Sequence, residues 1–194
     1  MTAPRILAFA GSLRTASFNK RLVHIAATAA TSAGAETTVI DLRDYTLPVF
    51  DEDLEAREGL PEAGRRLKEL FRDHHGLLIA SPEYNSSFSG VLKNTIDWVS
   101  RPETDHPPMS GFQGKVAGIM AASPGALGGL RGLVHLRAVL GNIGVIVLPG
   151  QHAVAKAHEV FKDDDLTDER HLEKVQMIGR TVAQTVARLH EHVA

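Results

Sequence analysis

Ile6-Leu-Ala-Phe-Ala-Gly-Ser-Leu-Arg-Thr-Ala-Ser-Phe-Asn-Lys-Arg-Leu22 opens as an apolar run, breaks at Gly11 and restarts with helical periodicity. The spacing predicts a strand, a short loop and a helix. Between the two elements lie Ser12, Arg14, Thr15, Ser17 and Asn19, so hydroxyl, amide and guanidinium donors gather where a helix presents its unpaired backbone N–H groups. A phosphate there would meet those N–H groups, the positive end of the helix dipole and a planar guanidinium able to grip two oxygens. Gly11 stands alone, so neither Gly-x-x-x-x-Gly-Lys-Ser/Thr nor Gly-x-Gly-x-x-Gly fits, and a single terminal phosphate suits the loop better. The same residues also read as a plain turn, with Ser17 or Asn19 capping the helix and Arg14 a solvated charge.

Working outward, residues 5–10 form the expected first strand, and 19–33 a helix carrying Leu22, Val23, Ile25 and Ala26 before Gly34 closes it. Residues 37–42 read as the second strand. The stretch 43–61, with Pro48, Pro61 and the acidic group Asp51, Glu52, Asp53 and Glu55, reads as a long irregular solvated loop. A helix over 62–74 ends at His74-His75, where a cation is favoured, and 76–80 is a fully apolar third strand. A helix over 90–101 is ended by Pro102, a fourth strand covers 115–121, and a helix over 130–142 leads to a fifth strand at 144–148, stopped by Pro149-Gly150. Thr167 is the expected N-cap of a last helix whose stripe is Leu172, Val175, Ile178, Val182, Val186, Leu189 and Val193. Strictly alternating strands and helices imply an α/β doubly wound parallel sheet in three layers, and five strands favour the flavodoxin-like order 2-1-3-4-5.

The totals agree with a single domain over residues 1–194. A chain of 194 residues can bury about 70% of its unfolded surface, and 43% hydrophobic with 23% charged residues is an ordinary globular balance. A net charge of −2 argues against a nucleic-acid partner. With no cysteine, disulfides, thiolate nucleophiles and Cys-based metal centres are excluded. No leader and no run of about 18 apolar residues is visible, so the expectation is a cytoplasmic protein without a membrane span.

In a doubly wound sheet, ligands bind outside the carboxyl ends of the strands at the switch point beside strand one. The loops after strands one, three and four should converge there. After strand three comes Ser81-Pro-Glu-Tyr-Asn-Ser-Ser-Phe-Ser-Gly90, stiffened by proline and rich in groups that can read the polar edge of a flat heterocycle. After strand four comes Ala122-Ser-Pro-Gly-Ala-Leu-Gly-Gly-Leu130, whose glycines would let backbone approach a stacked ring. Taken singly, the first also reads as a plain turn and Gly128-Gly129 as a plain helix entry.

Gly11-Ser-Leu-Arg-Thr-Ala-Ser-Phe-Asn19 and Ser81-Pro-Glu-Tyr-Asn-Ser-Ser-Phe-Ser-Gly-Val-Leu-Lys-Asn-Thr-Ile-Asp-Trp98 closely resemble the two signature segments of the NADPH-dependent FMN reductase family, which includes bacterial quinone, chromate and azo-dye reductases. Neither signature shows a departure. The likeness continues through Ser123-Pro-Gly-Ala-Leu-Gly-Gly-Leu-Arg131 into Leu148-Pro-Gly150, and from His152 onward it is one of general character only. The resemblance implies that Ser12, Arg14, Ser17 and Asn19 hold the phosphate of FMN. It implies that Pro82, Glu83, Tyr84 and Asn85 line the isoalloxazine and ribityl region, with Ser123 and Gly125 closing the other side. It also implies a ping-pong cycle in which NADPH or NADH reduces bound FMN and a small-molecule acceptor, such as a quinone, an azo compound, chromate or free flavin, reoxidises it. The expected assembly is a homodimer or homotetramer. Trp98, beside Ile96 and Val99, is open between core and subunit interface, and Arg101 is a candidate for the extra phosphate of NADPH.

Since the cofactor carries the redox chemistry, no acid–base residue is required, and no catalytic side chain is named. Other constellations are poorly supported. There is no Gly-x-Ser-x-Gly elbow or His-Glu-x-x-His, Asp163-Asp-Asp165 lacks the rest of a calcium loop, and the ten histidines are scattered, His190 and His192 falling on different helix faces. No metal site is expected. Two rival classes remain: a flavodoxin-type electron carrier, disfavoured by the weak net charge and by Arg14, and a nonenzymatic FMN-binding sensor.

Overall fold

A computed structural model describes residues 3–103 and 105–190. In chain order the elements are β1 (Arg5–Ala10), α1 (Phe18–Ser32), β2 (Glu36–Ile40), a 3-10 turn (Leu42–Asp44), α2 (Glu52–Glu58), α3 (Glu62–Asp73), β3 (Gly76–Ala80) and a small hairpin of β4 (Glu83–Tyr84) and β5 (Ser87–Phe88). Then come α4 (Gly90–Val99), β6 (Val116–Ala122), α5 (Leu130–Asn142), β7 (Ile146–Val154), α6 (Ala157–Val160), a second hairpin of β8 (Phe161–Lys162) and β9 (Asp165–Leu166), and α7 (Glu169–His190). The five long strands pair in parallel in the order β2-β1-β3-β6-β7, the flavodoxin-like order.

Because successive side chains of a strand point to opposite faces, a sheet covered on both sides needs unbroken apolar strands. Ile6, Ala8, Leu78, Met120 and Ala122 pack under α1 and α7, while Leu7, Phe9, Ile79, Ile119 and Ala121 pack under α3, α4 and α5. The first layer is thin because its contacts are small. A Cβ on Gly179 would fall 2.0 Å from the Ala26 carbonyl oxygen, so α1 and α7 cross backbone against backbone. The second layer is filled by rings, with Phe9 tilted against Phe71 and Phe71 edge-on to Phe112 at centroid spacings of 5.4 and 5.1 Å. Trp98 is fully buried, donates from Nε1 to the Pro48 carbonyl at 2.8 Å and meets Phe50 edge-on, which makes it core within this chain.

Several expectations need correction. The stretch 43–61 is not irregular throughout: Asp51 accepts from the N–H groups of Asp53 and Leu54 and caps α2, so the acidic residues occupy a first helical turn, where the dipole favours them. Pro149-Gly150 does not stop the fifth strand. Register slips from Ala117 opposite Val147 to Ile119 opposite Gln151, so the dipeptide is absorbed in a bulge on an edge strand, where proline's missing N–H is harmless. The Arg137 guanidinium pins that bulge through the carbonyls of Val147 and Leu148. Asp168, not Thr167, accepts from the His171 N–H at the start of α7, while the Thr167 hydroxyl bonds Val160. Of the α7 stripe, Val175, Ile178, Val182 and Val186 are buried and Leu189 is exposed, and Val193, like His192, lies outside the described residues. His74 is no surface cation: burial lowers its pKa, and its ring nitrogens sit 2.6 Å from Leu70 O and 2.8 Å from Thr38 Oγ1. Among the described residues no helix is long and apolar enough to cross a membrane.

Candidate functional site

At the end of β1 the chain turns at Gly11, whose N–H still donates to the Ala80 carbonyl. A Cβ there would lie 2.9 Å from Leu92 Cβ and 3.0 Å from Ser89 Oγ, so α4 itself demands glycine. Beyond the turn, Ser12 is buried and Arg14 exposed. Ser17 is buried at the N-cap of α1, with the extended backbone of a cap (φ −92°, ψ 124°), yet its side chain makes no cap hydrogen bond. The first N–H groups of α1 thus lack a side-chain acceptor. Arg14 makes no hydrogen bond or ion pair among the described residues.

Thr15, between them, is held from outside. Its hydroxyl accepts from Arg43 Nη1 at 3.0 Å, and Arg43 is bound by Asp41, which also receives Lys20 Nζ at 2.6 Å. Burial pushes the Asp41 carboxyl up, but the hydrogen bonds from Arg43 and Lys20 outweigh it and hold its pKa at about 2. Asn19 faces the other way. Its amide donates to the Ala122 carbonyl and accepts from the Ala122 N–H, both at 2.9 Å, tying the start of α1 to the end of β6.

After β3, residues 83–88 close a hairpin whose turn places Asn85 and Ser86 at φ of 50° and 69°. Two successive positive φ values define the tight turn that matches strand twist, a conformation asparagine tolerates better than serine. Tyr84 is 53% exposed beside the turn. Glu83 points inward. Its carboxylate receives Arg131 Nε at 2.9 Å and the Gly132 N–H at 3.1 Å. Burial raises its pKa, but these bonds prevail and keep it below the ordinary carboxylate value.

After β6, Ser123 Oγ accepts from the Gly125 N–H at 3.1 Å, folding the loop on itself. The two glycines that follow are demanded by packing. With φ of +62°, Gly128 would put a Cβ 2.6 Å from Ala155 N, and Gly129, at +97°, would put one 2.7 Å from Ala121 Cβ.

These three loops line one cleft, made by Ser12, Arg14, Ser17, Phe18 and Asn19, by Pro82, Glu83 and Tyr84, and by Ala122, Ser123 and Pro124. Eight of the ten residues singled out from the sequence are in that lining, and Asn85 and Gly125 are not. Phe18, Ala122 and Pro124 carry no signal of their own in the sequence, because an apolar residue beside a polar motif looks like packing. A groove of about 860 Å³ between α1 and α7 is larger and meets the cleft at Ser17, but it lacks the convergence of loops. Arg101 is absent from the cleft: Glu55 holds it at 2.8 Å, and it stacks over Phe50.

Comparison with known proteins agrees with this geometry. The profile of the family described as NADPH-dependent FMN reductase matches residues 4–159. The chain is 40% identical over 136 residues to an NAD(P)H-dependent FMN reductase of Pseudomonas aeruginosa, covering 70% of this chain and 69% of that protein. It is 38% identical over 146 residues to a 2-hydroxy-1,4-benzoquinone reductase of a Burkholderia species, covering 75% of each. Among solved structures, the flavoenzyme NAD(P)H:(acceptor) oxidoreductase FerB of Paracoccus denitrificans superposes with a TM-score of 0.77 at 26% identity, over 96% of this chain and 98% of that one.

Proposed function

The chain belongs to the NADPH-dependent FMN reductase family, and from that premise we propose that it binds FMN in the three-loop cleft and uses NADPH or NADH to reduce a quinone-type acceptor. The observation that carries this reading is the pairing, in one cleft, of an uncapped α1 N-terminus with an Arg14 that has no acid partner among the described residues. Donors that open onto the cleft without an internal acceptor suit a dianion, and the residues present fit the phosphate end of FMN. When bound, FMN would supply the two-electron chemistry that passes reducing equivalents from nicotinamide to acceptor.

The chain's own residues have three tasks. Ser12, Arg14 and Ser17 donate to the phosphate. Asn19 keeps α1 and the end of β6 at a fixed separation, so that the phosphate end and the Ser123 side of the ring stay in register. Pro82, Glu83, Tyr84 and Asn85 present the hairpin to the ring, and Ser123 with Gly125 closes the opposite wall. No side chain in the cleft needs to shuttle a proton. A flat open ring face discriminates little among flat acceptors such as quinones, azo compounds and free flavin, and chromate, a tetrahedral oxyanion, joins them as an acceptor that needs only access to that face.

The whole chain acts as one catalytic domain in this reading. The cytoplasm, where NAD(P)H is available, is its place of work, and a homodimer or homotetramer is its assembly. Exposed Leu127, Leu130 and Val134, 50%, 44% and 57% open at the start of α5 beside the cleft, supply apolar surface for a second copy. Light scattering on the purified protein tests the assembly.

The functional test is a flavin titration followed by turnover. Added FMN should be bound, with its fluorescence changed, and NADPH or NADH should then be oxidised in the presence of a benzoquinone. Bound flavin without nicotinamide turnover would leave an electron carrier or a sensor. No binding of FMN would remove the reading altogether.

A further inference from the structure

Glu83 lies in the cleft lining, yet both of its oxygens serve the neighbouring helix. Helix α5 starts at Gly129, which offers no side-chain cap. The N–H of Gly132, three residues on, would go unpaired in an isolated helix, and it donates instead to Glu83 Oε2 at 3.1 Å. Arg131 brings Nε and Nη2 to Oε1 at 2.9 and 2.8 Å, and the Glu83 side chain is only 9% exposed. The second strand of the hairpin is fastened to the same helix. A Cβ on Gly132 would sit 3.2 Å from the Ser87 carbonyl carbon and 3.3 Å from the Phe88 nitrogen, and His135 Nδ1 lies 3.1 Å from Ser87 Oγ. Both strands of the hairpin are thus anchored to α5, β4 by a charge-assisted cap and β5 by backbone contact.

We infer that Glu83 is a positioning residue: as a cap supplied to α5 from another element, it fixes how the Tyr84 hairpin stands over the cleft and so shapes the ring end of the flavin site. The inference rests on the flavin reading above. Losing the carboxylate leaves the Gly132 N–H and the Arg131 guanidinium unpaired and frees the hairpin to shift. FMN and riboflavin share the ring and differ at the phosphate, so a loosened hairpin weakens both by one factor. A defect at the phosphate end weakens FMN alone.

The test titrates the full-length protein, Glu83→Gln, Arg131→Ala and Arg131→Lys with FMN and with riboflavin, by fluorescence, and records the visible spectrum at saturation. Both Glu83→Gln, which keeps one acceptor but loses the charge, and Arg131→Ala, which keeps the Gly132 cap but loses the ion pair, break the brace between hairpin and α5. The expected result is a loss of about fivefold to tenfold for both flavins, the size of one hydrogen bond. Their affinity ratio should stay unchanged, the ring's absorption band should shift, and Arg131→Lys should recover part of the loss. Should Glu83→Gln not fold, Arg131→Ala carries the same prediction. Unchanged affinities in both variants, an unshifted band, or a loss confined to FMN would overturn the inference. Failure of the unsubstituted protein to bind either flavin would instead sink the functional reading, so the two failures are distinguishable.

Discussion

The loop after β1 and the hairpin after β3 face each other across one cleft and use their polar groups in opposite ways. In the first, Arg14 lacks an acid among the described residues and Ser17 occupies a cap position without making the cap. In the second, Glu83 is saturated by Arg131 and Gly132, and Ser81 and Ser89 are bonded within the framework. One wall is left ready for a ligand and the other is braced. Unmet donors mark where an anion can be gained, whereas met ones mark where geometry is held.

The largest effect expected from breaking this division is on the framework. Gly128→Ala would force a side chain into positive φ against the backbone of residues 153–155, and it should lower stability by about 3 kcal/mol or more in thermal unfolding. A Tm within a degree of the parent would show that the loop relaxes without cost. Next comes Arg14→Ala, which should weaken FMN binding by roughly 1–3 kcal/mol while leaving the ligand-free protein's Tm unchanged, since no internal bond is lost. Equal FMN affinity would take Arg14 out of the site.

The third prediction concerns a pair next to neither wall. His152 on β7 lies 2.7 Å, Nε2 to Nδ1, from His171 in the first turn of α7, and burial, with the charges of His171 and Lys174, lowers its pKa from 6.5 to about 4. An imidazole kept neutral in the fold binds its proton more readily unfolded. Its contribution is therefore full above pH 6.5 and is lost as pH falls from 6.5 toward 4. Allowing for its partial exposure, this amounts to about 1–2 kcal/mol, and His152→Asn should flatten the acid limb of a stability-against-pH curve.

Much of this was legible in the chain. Unbroken apolar runs at residues 5–10 and 76–80 show strands covered on both faces, and their alternation with helices leads to the sheet order. The three loops could be placed at one edge by topology alone. Other features depend on partners far away in sequence. Proline at 149 looks like a stop until an edge position and Arg137 make a bulge tolerable. Glycines 128 and 129 look like ligand-facing residues until the backbone at 153–155 and Ala121 are seen against them. Glu83 reads as a residue of the ring region alone until α5 proves to need a cap. Residue type indicates which chemistry is available, and only the neighbours decide whether it is already in use.

Ser17 offers the finest test, because its smallest effect carries the argument. A serine at a helix N-cap ordinarily stabilises its helix, and replacing it by alanine costs about 0.5–2 kcal/mol. Here the side chain makes no cap hydrogen bond, although φ and ψ are those of a cap. Ser17→Ala should therefore leave the melting temperature of the ligand-free protein nearly unchanged and should weaken FMN binding by about 1 kcal/mol, through loss of one donor to the phosphate. An ordinary cap would show the reverse, a destabilised free protein with FMN affinity intact. Calorimetry of the free protein beside a titration with FMN separates the two, and the reverse result would mean that the wall formed by residues 11–19 is braced like the hairpin opposite.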